Sequence, residues 1–310
     1  MNDRIHEEAA REPGVAARAI ARSDAEYPAL LREVPTAPAT LYVRGGLVDG
    51  DALAVAIVGS RRATSYGLDV AEMLAADLAA RGVTVVSGLA RGIDGAAHRG
   101  ALRVGGRTLA VLGSGVDVVY PPENRRLAAE IAERGALLSQ FAPGTPPLPH
   151  HFPTRNAVIA GMSLAVVVVE AAERSGSLIT ARLAAELGRE VLAVPGRITA
   201  LESRGANRLI QDGAAVAMGW EDVVGLLPER WKACLREAPA APAQAAEVLP
   251  DLLEVRQVLS LLSDDPVDID IVIERSGLGA GRVSAALLDL ELEGRVRQIE
   301  GKRFVRVGRG

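Results

Sequence analysis

Between residues 53 and 195 the chain alternates short apolar runs with longer amphipathic stretches. Runs such as 53–58, 83–86 and 164–169 are short and almost wholly apolar, which is typical of parallel strands buried on both faces. Stretches of about 10–15 residues with helical periodicity separate them, which is the pattern of repeated βαβ units. The sequence therefore predicts an α/β fold over residues 51–227, with a Rossmann-like, doubly wound and mainly parallel sheet.

The two ends of the chain lack this alternation. We interpret residues 1–50 as a mixed N-terminal lead-in, helix-like through Leu31. The run APAAPAQAA at 238–246 has the composition of a linker, and we place an Ala/Pro-rich linker at 228–247. Residues 248–310 show three helical stretches followed by two strand-like pieces, which predicts a small C-terminal winged-helix domain.

Composition and charge exclude several classes of protein. Of the 310 residues, 49% are hydrophobic and 24% are charged, which is ordinary for a folded protein and unlike a disordered one. The formal net charge of −4 excludes a generally basic nucleic-acid binder but allows a local basic groove. The apolar runs fall short of the ~20 residues that span a bilayer, and the N-terminus has no signal-peptide pattern. We therefore expect a cytoplasmic protein without membrane contact.

Glycine, serine and arginine follow the predicted strands, where a doubly wound sheet binds its ligands. Backbone amides in such turns bind phosphate oxygens together with guanidinium groups. The candidate residues are Gly59, Ser60, Arg61 and Arg62 after the first strand, Ser87, Gly88 and Arg91 after the second, Gly113 and Ser114 after the third, and Ser175, Gly176 and Ser177 after the longest strand. Several such turns around one crevice favour an extended polyanion over a single pyrophosphate.

The segment F-P-T-R-N at 152–156 adds side chains of a different kind. Phe152 offers a stacking face in a chain with only 3% aromatic residues, although a core role is also open. Arg155 and Asn156 lie at the start of a predicted helix that follows a Pro-rich loop. We therefore add these three residues to the candidate polyanion site.

The sequence indicates neither a cofactor nor a metal. Gly113 and Gly115 begin a dinucleotide fingerprint, but Val118 occupies the position of its third glycine. No P-loop motif occurs, and the chain has no C-x-x-C pair. Adjacent His150 and His151 have poor geometry for joint metal ligation.

Asp94 and His98 are four residues apart on a predicted helix, a spacing at which two side chains can pair. The sequence links no Ser or Cys nucleophile to them. We therefore expect His98 to support the fold rather than act as a base, and we predict no catalytic residue.

The predicted winged helix has an uneven charge distribution. Its first half, 247–274, carries eight acidic residues against Arg256, a balance that repels a phosphate backbone. The predicted wing carries six basic residues against Glu300: Arg295, Arg297, Lys302, Arg303, Arg306 and Arg309. Contact with DNA and contact with a protein are both open for this domain.

Several of these motifs together resemble the DprA (Smf) family of DNA-processing proteins. The motifs are GSRRATSYG, VVSGLARGIDGAAHRGAL, TLAVLGSGVDVVYPPEN, FPTRN, ERSGSLITARLAAELGREVLAVPG and GANRLIQDGA, spread in register over about residues 26–226. The resemblance implies a protein that binds single-stranded DNA, forms a homodimer through its Rossmann-like domain, and helps to load the RecA recombinase in natural transformation.

The resemblance also implies roles for individual residues. It suggests that Arg61 touches DNA phosphate and that Phe152, Arg155 and Asn156 line the path of the strand. Ala157 stands where the family commonly has a basic residue, so this chain lacks one positive charge there.

Two alternatives come from other functional classes. One is a nucleotide phosphoribohydrolase-like enzyme of the same Rossmann superfamily, but Leu183 stands where the catalytic Glu of such enzymes would fall. The other is a winged-helix transcription regulator, which would bind duplex DNA at a specific sequence.

Overall fold

The apolar runs form the strands of one large sheet in the computed structural model, which describes residues 10–11, 17–237, 250–263, 265–292, 295–299 and 301–306. The chain divides into two units, Met1–Pro239 and Ala240–Gly310. Within residues 17–237 nine strands share this sheet: β2 (Arg18–Ala21), β3 (Thr40–Gly45), β4 (Ala54–Val58), β5 (Thr84–Ser87), β6 (Thr108–Val111), β8 (Ala136–Ser139), β9 (Ala165–Val168), β10 (Glu190–Ala193) and β11 (Ala215–Val216). Outside it, β1 (Ala10–Arg11) pairs antiparallel with β7 (Val118–Val119).

The strand order β11-β10-β9-β4-β5-β6-β8-β3-β2 confirms the predicted doubly wound arrangement. All pairs from β11 to β8 are parallel, whereas β3 is antiparallel to both β8 and β2. The chain runs outward from β4 through β5, β6 and β8, and then returns to β9 on the other side of β4. The order of the strands therefore reverses between β4 and β9, and ligands of such sheets bind in the crevice at that point.

Helices cover both faces of the sheet. They are α1 (Ala29–Arg32), α2 (Ser65–Ala80), α3 (Ile93–Arg103), α4 (Arg125–Arg134), α5 (His151–Met162), α6 (Ser177–Glu186), α7 (Arg204–Gln211), α8 (Trp220–Gly225) and α9 (Glu229–Lys232), with short 3-10 turns at Asp49–Ala52, Pro122–Asn124 and Leu201–Ser203. Alternate residues of β4 enter two different cores: Ala54, Ala56 and Val58 pack with α5, and Val55 and Ile57 pack with α2 and α3. This burial on both faces explains the continuous apolar runs.

The N-terminal lead-in is not separate from the sheet. Residues 18–45 supply β2 and β3, so the sheet extends beyond the boundary predicted at residue 51. The helix-like reading through Leu31 is wrong for residues 17–28, and Ala29–Arg32 is the one helix within the described part of residues 17–50 that is not a 3-10 turn. Residues 1–9 and 12–16 lie outside the described residues. Pairing of β2 with β3 is a tertiary contact that overrides the local helical preference.

The predicted linker begins too early. Trp231 and Leu235 pack against the core of the first unit, and the Arg236 amide donates to the Arg81 carbonyl at 2.9 Å. The Ala- and Pro-rich run at 238–246 lies outside the described residues.

The second unit has the predicted winged-helix elements. They are α10 (Pro250–Ser260), β12 (Val267–Asp268), α11 (Ile269–Ser276), α12 (Ala280–Leu292), β13 (Val296–Ile299) and β14 (Arg303–Arg306). The three strands form a small antiparallel sheet in the order β12-β14-β13, and buried residues such as Val258, Val272 and Phe304 form a core of its own.

Candidate nucleic-acid interface

A cleft of about 690 Å³ lies at the carboxyl ends of β4 and β9, where the strand order reverses. The turn after β4, the turn after β9 and the first turns of α5 form its walls. A cleft of this size is in the range of sites for small ligands and single nucleotides. Most of the candidate residues named from the sequence therefore meet at one place, but they differ in how they are exposed.

The turn after β4 presents two arginines to solvent. Gly59 has no room for a side chain, since a Cβ would lie 2.8 Å from the Glu170 carbonyl oxygen. The Ser60 amide donates to that carbonyl at 2.7 Å, and the Ser60 hydroxyl accepts from the Arg62 amide at 3.1 Å. These bonds fix the turn, and the side chains of Arg61 and Arg62 are exposed beyond it.

Phe152 is half-buried, and the guanidinium group of Arg61 lies over its ring. The Arg61 Cζ lies 4.9 Å from the centre of the ring, a cation–π contact worth about 0.5–1 kcal/mol at exposed sites. The Tyr120 ring lies 6.0 Å away at an angle of 53°. Phe152 thus joins a small aromatic and cationic cluster instead of the main core. Tyr120 is a cleft residue that the sequence analysis missed, although it directly follows the third-strand turn in V-V-Y-P-P.

Arg155 is buried beneath the cleft, with 3% of its surface exposed. Its Nη1 donates to the Val111 carbonyl at 2.8 Å, and its Nε has no partner among the described residues. Burial lowers its pKa to about 10, a shift opposed by the negative charge of Asp94. Gly88 is required at this point, because a Cβ there would lie 1.6 Å from Arg155 Nη1. Arg155 therefore lines the cleft from its floor, and its place along the path of a DNA strand stays a prediction.

His98 and Asp94 do not form the pair that their spacing allows. His98 Nδ1 lies 2.7 Å from the Thr108 hydroxyl, which itself donates to the Val85 carbonyl, so Nδ1 carries the proton and donates. Burial lowers the pKa of His98 to about 3 and keeps the ring neutral. Asp94 accepts from the Ala90 amide at 3.3 Å, and burial raises its pKa. The structural role expected for His98 is confirmed.

Glu170 was not identified from the sequence. It follows β9, and its carboxylate reaches the N-terminus of α2. Its carboxylate accepts from the Thr64 amide at 2.9 Å and from the Thr64 hydroxyl at 2.6 Å, and it is 2% exposed. A Cβ at Gly67 would lie 2.4 Å from Glu170 Oε2. An internal carboxylate thus already occupies the helix N-terminus at which related sheets bind phosphate. The candidate anion ligands of the cleft are therefore its side chains and the other turns.

The turn after β9 is held by Asn156. Its Nδ2 donates to the Gly176 carbonyl at 3.3 Å, and the hydroxyls of Ser175 and Ser177 lie 2.7 Å apart. Asn156 is therefore placed to shape this turn, as well as to line the cleft. Beside the turn, exposed Arg174 adds a third guanidinium to the cleft wall, and the sequence analysis did not single it out.

Four other candidates make contacts within the protein. The buried hydroxyls of Ser87 and Ser114 each donate at 2.6 Å to a backbone carbonyl. Arg91 pairs with Glu123, which lowers the pKa of that carboxyl group. Gly113 packs against the Phe152 ring, since a Cβ at Gly113 would lie 3.1 Å from Phe152 Cδ1. These residues shape the strand ends, and their side chains are not open anion ligands.

The exposed positive charge of the cleft comes from Arg61, Arg62 and Arg174, while Asp94 and Glu202 also line it. Among the described residues no carboxylate forms an ion pair with any of the three. Within the same residues, no group of three His, Cys, Asp or Glu side chains is placed to hold a metal ion. No helix of the described chain is long and apolar enough to cross a bilayer.

Known proteins resemble both units. A sequence model described as DNA recombination-mediator protein A matches residues 18–228, and one described as DprA winged helix domain matches residues 237–302. Protein Smf from Escherichia coli (strain K12) is 41% identical over 288 residues, which make up 91% of this chain and 75% of the relative.

Solved structures show the same likeness over about two thirds of this chain. The X-ray structure of DNA processing protein A (DprA) from Streptococcus pneumoniae has a TM-score of 0.65 and 43% identity, and the match covers 68% of this chain and 74% of that one. A structure that concerns the single-stranded DNA binding mode of DNA processing protein A from Helicobacter pylori has a TM-score of 0.62 and 29% identity, with 68% and 95% covered.

Proposed function

Because the chain belongs to the DprA (Smf) family of DNA-processing proteins, we propose that its cleft binds single-stranded DNA. The observation that carries this proposal is the set of three exposed guanidinium groups, Arg61, Arg62 and Arg174, around the aromatic pair of Phe152 and Tyr120. Cations that follow a backbone, together with aromatic faces for the bases, are the recurring components of single-strand sites.

Within this site the candidate residues take three roles. Arg61 and Arg62 bind phosphate through their exposed guanidinium groups, and Phe152 supplies a face for a base. Arg155 and Asn156 hold the floor and the second turn in place, so their contribution is to the shape of the site.

We propose that the protein covers incoming single-stranded DNA and helps to load RecA in natural transformation, acting in the cytoplasm. Family membership supports this step. The test is to coat a single strand with the protein before RecA is added and to follow ATP hydrolysis by RecA, which depends on its binding to the strand. A shorter lag supports the proposal, and an unchanged or longer lag contradicts it.

We also propose a homodimer formed through the first unit. The three most exposed large apolar side chains among its described residues are Ile198 at 86%, Met218 at 76% and Leu201 at 60%. Exposed apolar side chains of this size favour a protein contact when they adjoin one another. Light scattering should give twice the chain mass, and Met218→Lys should lower it toward the mass of one chain.

The protein acts by binding in this proposal, without catalysis. Leu183 on α6 cannot replace the carboxylate that a nucleotide phosphoribohydrolase uses. Incubation with nucleoside monophosphates tests this directly, since released free base would establish the enzyme instead.

The strand pairing and the two separate cores support revised domain limits. We propose a sheet domain that includes residues 18–236 and a winged-helix domain from about residue 250.

The single-strand proposal is tested by competition. A labelled oligo-dT bound to the full-length protein is displaced with unlabelled single strand or with duplex of the same length. Stronger displacement by the single strand supports the proposal, and equal displacement by both contradicts it.

A further inference from the structure

The winged-helix unit has its own basic surface, and this surface lies on the wing. The hairpin of β13 and β14 exposes five basic side chains: Arg295, Arg297, Lys302, Arg303 and Arg306. These residues are separate from the proposed single-strand site, whose residues all lie in the first unit.

The strand register shows which side of the wing carries charge. Arg297 lies opposite Val305, and Ile299 lies opposite Arg303, so these four residues share one face of the hairpin. Val296 and Phe304 belong to the other face and are buried in the core of the unit. The two arginines on the outer face are diagonal neighbours, about 7–8 Å apart at the backbone.

Two of the cations are best placed for an external ligand. Lys302 lies at the tip of the hairpin, exposed and with a φ of 56°, and Arg297 is exposed on the outer face. Arg303 lies directly opposite Asp268 across β14 and β12, which offsets part of its charge. Arg297 and Lys302 are therefore the two wing cations most open to a ligand.

The third helix of the unit, α12, is not equipped to read bases. Its exposed residues include Ser284, Ala285, Leu288 and Asp289, which lack the long amide or cationic ends that make bidentate pairs with purine edges. Arg282 is its only basic residue, and the Glu254 carboxylate holds that guanidinium through Nε at 2.9 Å and through Nη2. Asp289 would in addition repel phosphate.

The wing also lacks the features of a single-strand site. Phe304 is the only aromatic residue in 248–310, and it is buried, so the unit offers no exposed face on which a base can stack. Cations without stacking partners respond chiefly to charge density, and duplex DNA carries one charge per roughly 1.7 Å of axis, twice the density of one strand.

We propose that the wing binds the sugar–phosphate backbone of duplex DNA without reading its sequence, through Arg297 and Lys302. This contact is additional to the single-strand site of the first unit. A chain with both sites can hold DNA in which single-stranded and duplex segments occur together.

The test measures binding of the full-length protein to two blunt duplexes of unrelated sequence, by fluorescence anisotropy between about 50 and 200 mM salt. The variant is Arg297→Gln with Lys302→Gln, which removes two charges and keeps polar side chains of similar reach. The matched control is Arg275→Gln, which removes one exposed charge from α11 in the same unit. Oligo-dT is measured in parallel, and Arg61→Ala is the control for the other site.

We expect the slope of log K against log salt for duplex to become shallower by about 1 for each cation removed, hence by about 2 in the double variant. Arg275→Gln keeps the wild-type slope. The two sequences bind within about twofold, because one good base contact would separate them by roughly 5- to 150-fold. Oligo-dT binding is unchanged in the wing variant and weakened by Arg61→Ala.

Three results would overturn the proposal: no duplex binding by the wild type at low salt, an unchanged duplex slope in the double variant, or a strong preference between the two sequences. An equal effect of Arg275→Gln would show that only the net charge of the unit matters and would also overturn it. Failure of the single-strand proposal is separate, since it appears as an oligo-dT affinity that Arg61→Ala leaves unchanged.

Discussion

Mild acid should destabilise the first unit through His98. The ring is buried and neutral, its Nδ1–H donates to Thr108, and burial lowers its pKa to about 3. In the unfolded chain the same imidazole has a pKa of about 6.5, so the unfolded state binds more protons between these two values. The stabilisation is therefore complete above about pH 6.5 and decreases as the pH falls toward 3. At ~1.36 kcal/mol per unit, lowering the pH from 7 to 5 removes about 2 kcal/mol.

The variant His98→Asn isolates this effect, because an amide can donate to Thr108 but does not titrate. Urea unfolding followed by tryptophan fluorescence reports on the first unit alone, since Trp220 and Trp231 both pack against its core. The free-energy difference between wild type and variant should shrink by about 2 kcal/mol from pH 7 to pH 5. The exposed His150, changed to Asn, is the control for the loss of an imidazole outside the core. A difference that stays constant with pH would refute the neutral, buried assignment of His98.

Three further substitutions test the contacts that shape the cleft. Gly88→Ala places a methyl group on the Arg155 guanidinium and should cost about 1–3 kcal/mol of unfolding free energy, measured by urea titration; an unchanged stability would mean that the arginine is not packed there. Phe152→Ala should weaken oligo-dT binding by about 1–3 kcal/mol if a base stacks on the ring, whereas a lower melting temperature with unchanged affinity would assign Phe152 to the core. Glu170→Gln leaves its hydrogen bonds to Thr64 without charge assistance and should lower stability by about 1–3 kcal/mol, and an unaltered melting curve would contradict this capping role.

The sequence was sufficient for most of the sheet. Strands buried on both faces appear as continuous apolar runs, so β4, β5, β6 and β9 are visible without any knowledge of their neighbours. The turns that follow them were also found, because glycine and serine after an apolar run mark a strand end. The edge strand β2 and its neighbour β3 were placed outside the predicted sheet, since they are defined by antiparallel pairing with one another and with β8.

The site was less predictable, because exposure is a property of the folded chain. The sequence does not distinguish Arg61 from Arg155, but the Arg61 side chain is exposed over the Phe152 ring and the Arg155 side chain is buried. The bond between Thr64 and Glu170 joins residues 106 positions apart, which no local pattern reveals. Residue type therefore located the cleft, and packing decided which side chains are open to a ligand.

The measurement closest to the central claim is the affinity for oligo-dT of the wild type, Arg61→Lys and Arg61→Ala. The guanidinium of Arg61 is exposed at the cleft, so its loss should weaken binding by about 1–3 kcal/mol, roughly 5- to 150-fold, with an unchanged melting temperature. Lysine keeps the charge but not the planar fork and should give an intermediate affinity. Arg126→Ala, which removes an exposed arginine from α4, should bind as the wild type does. Wild-type affinity in Arg61→Ala would contradict the assignment of this cleft as the single-strand site.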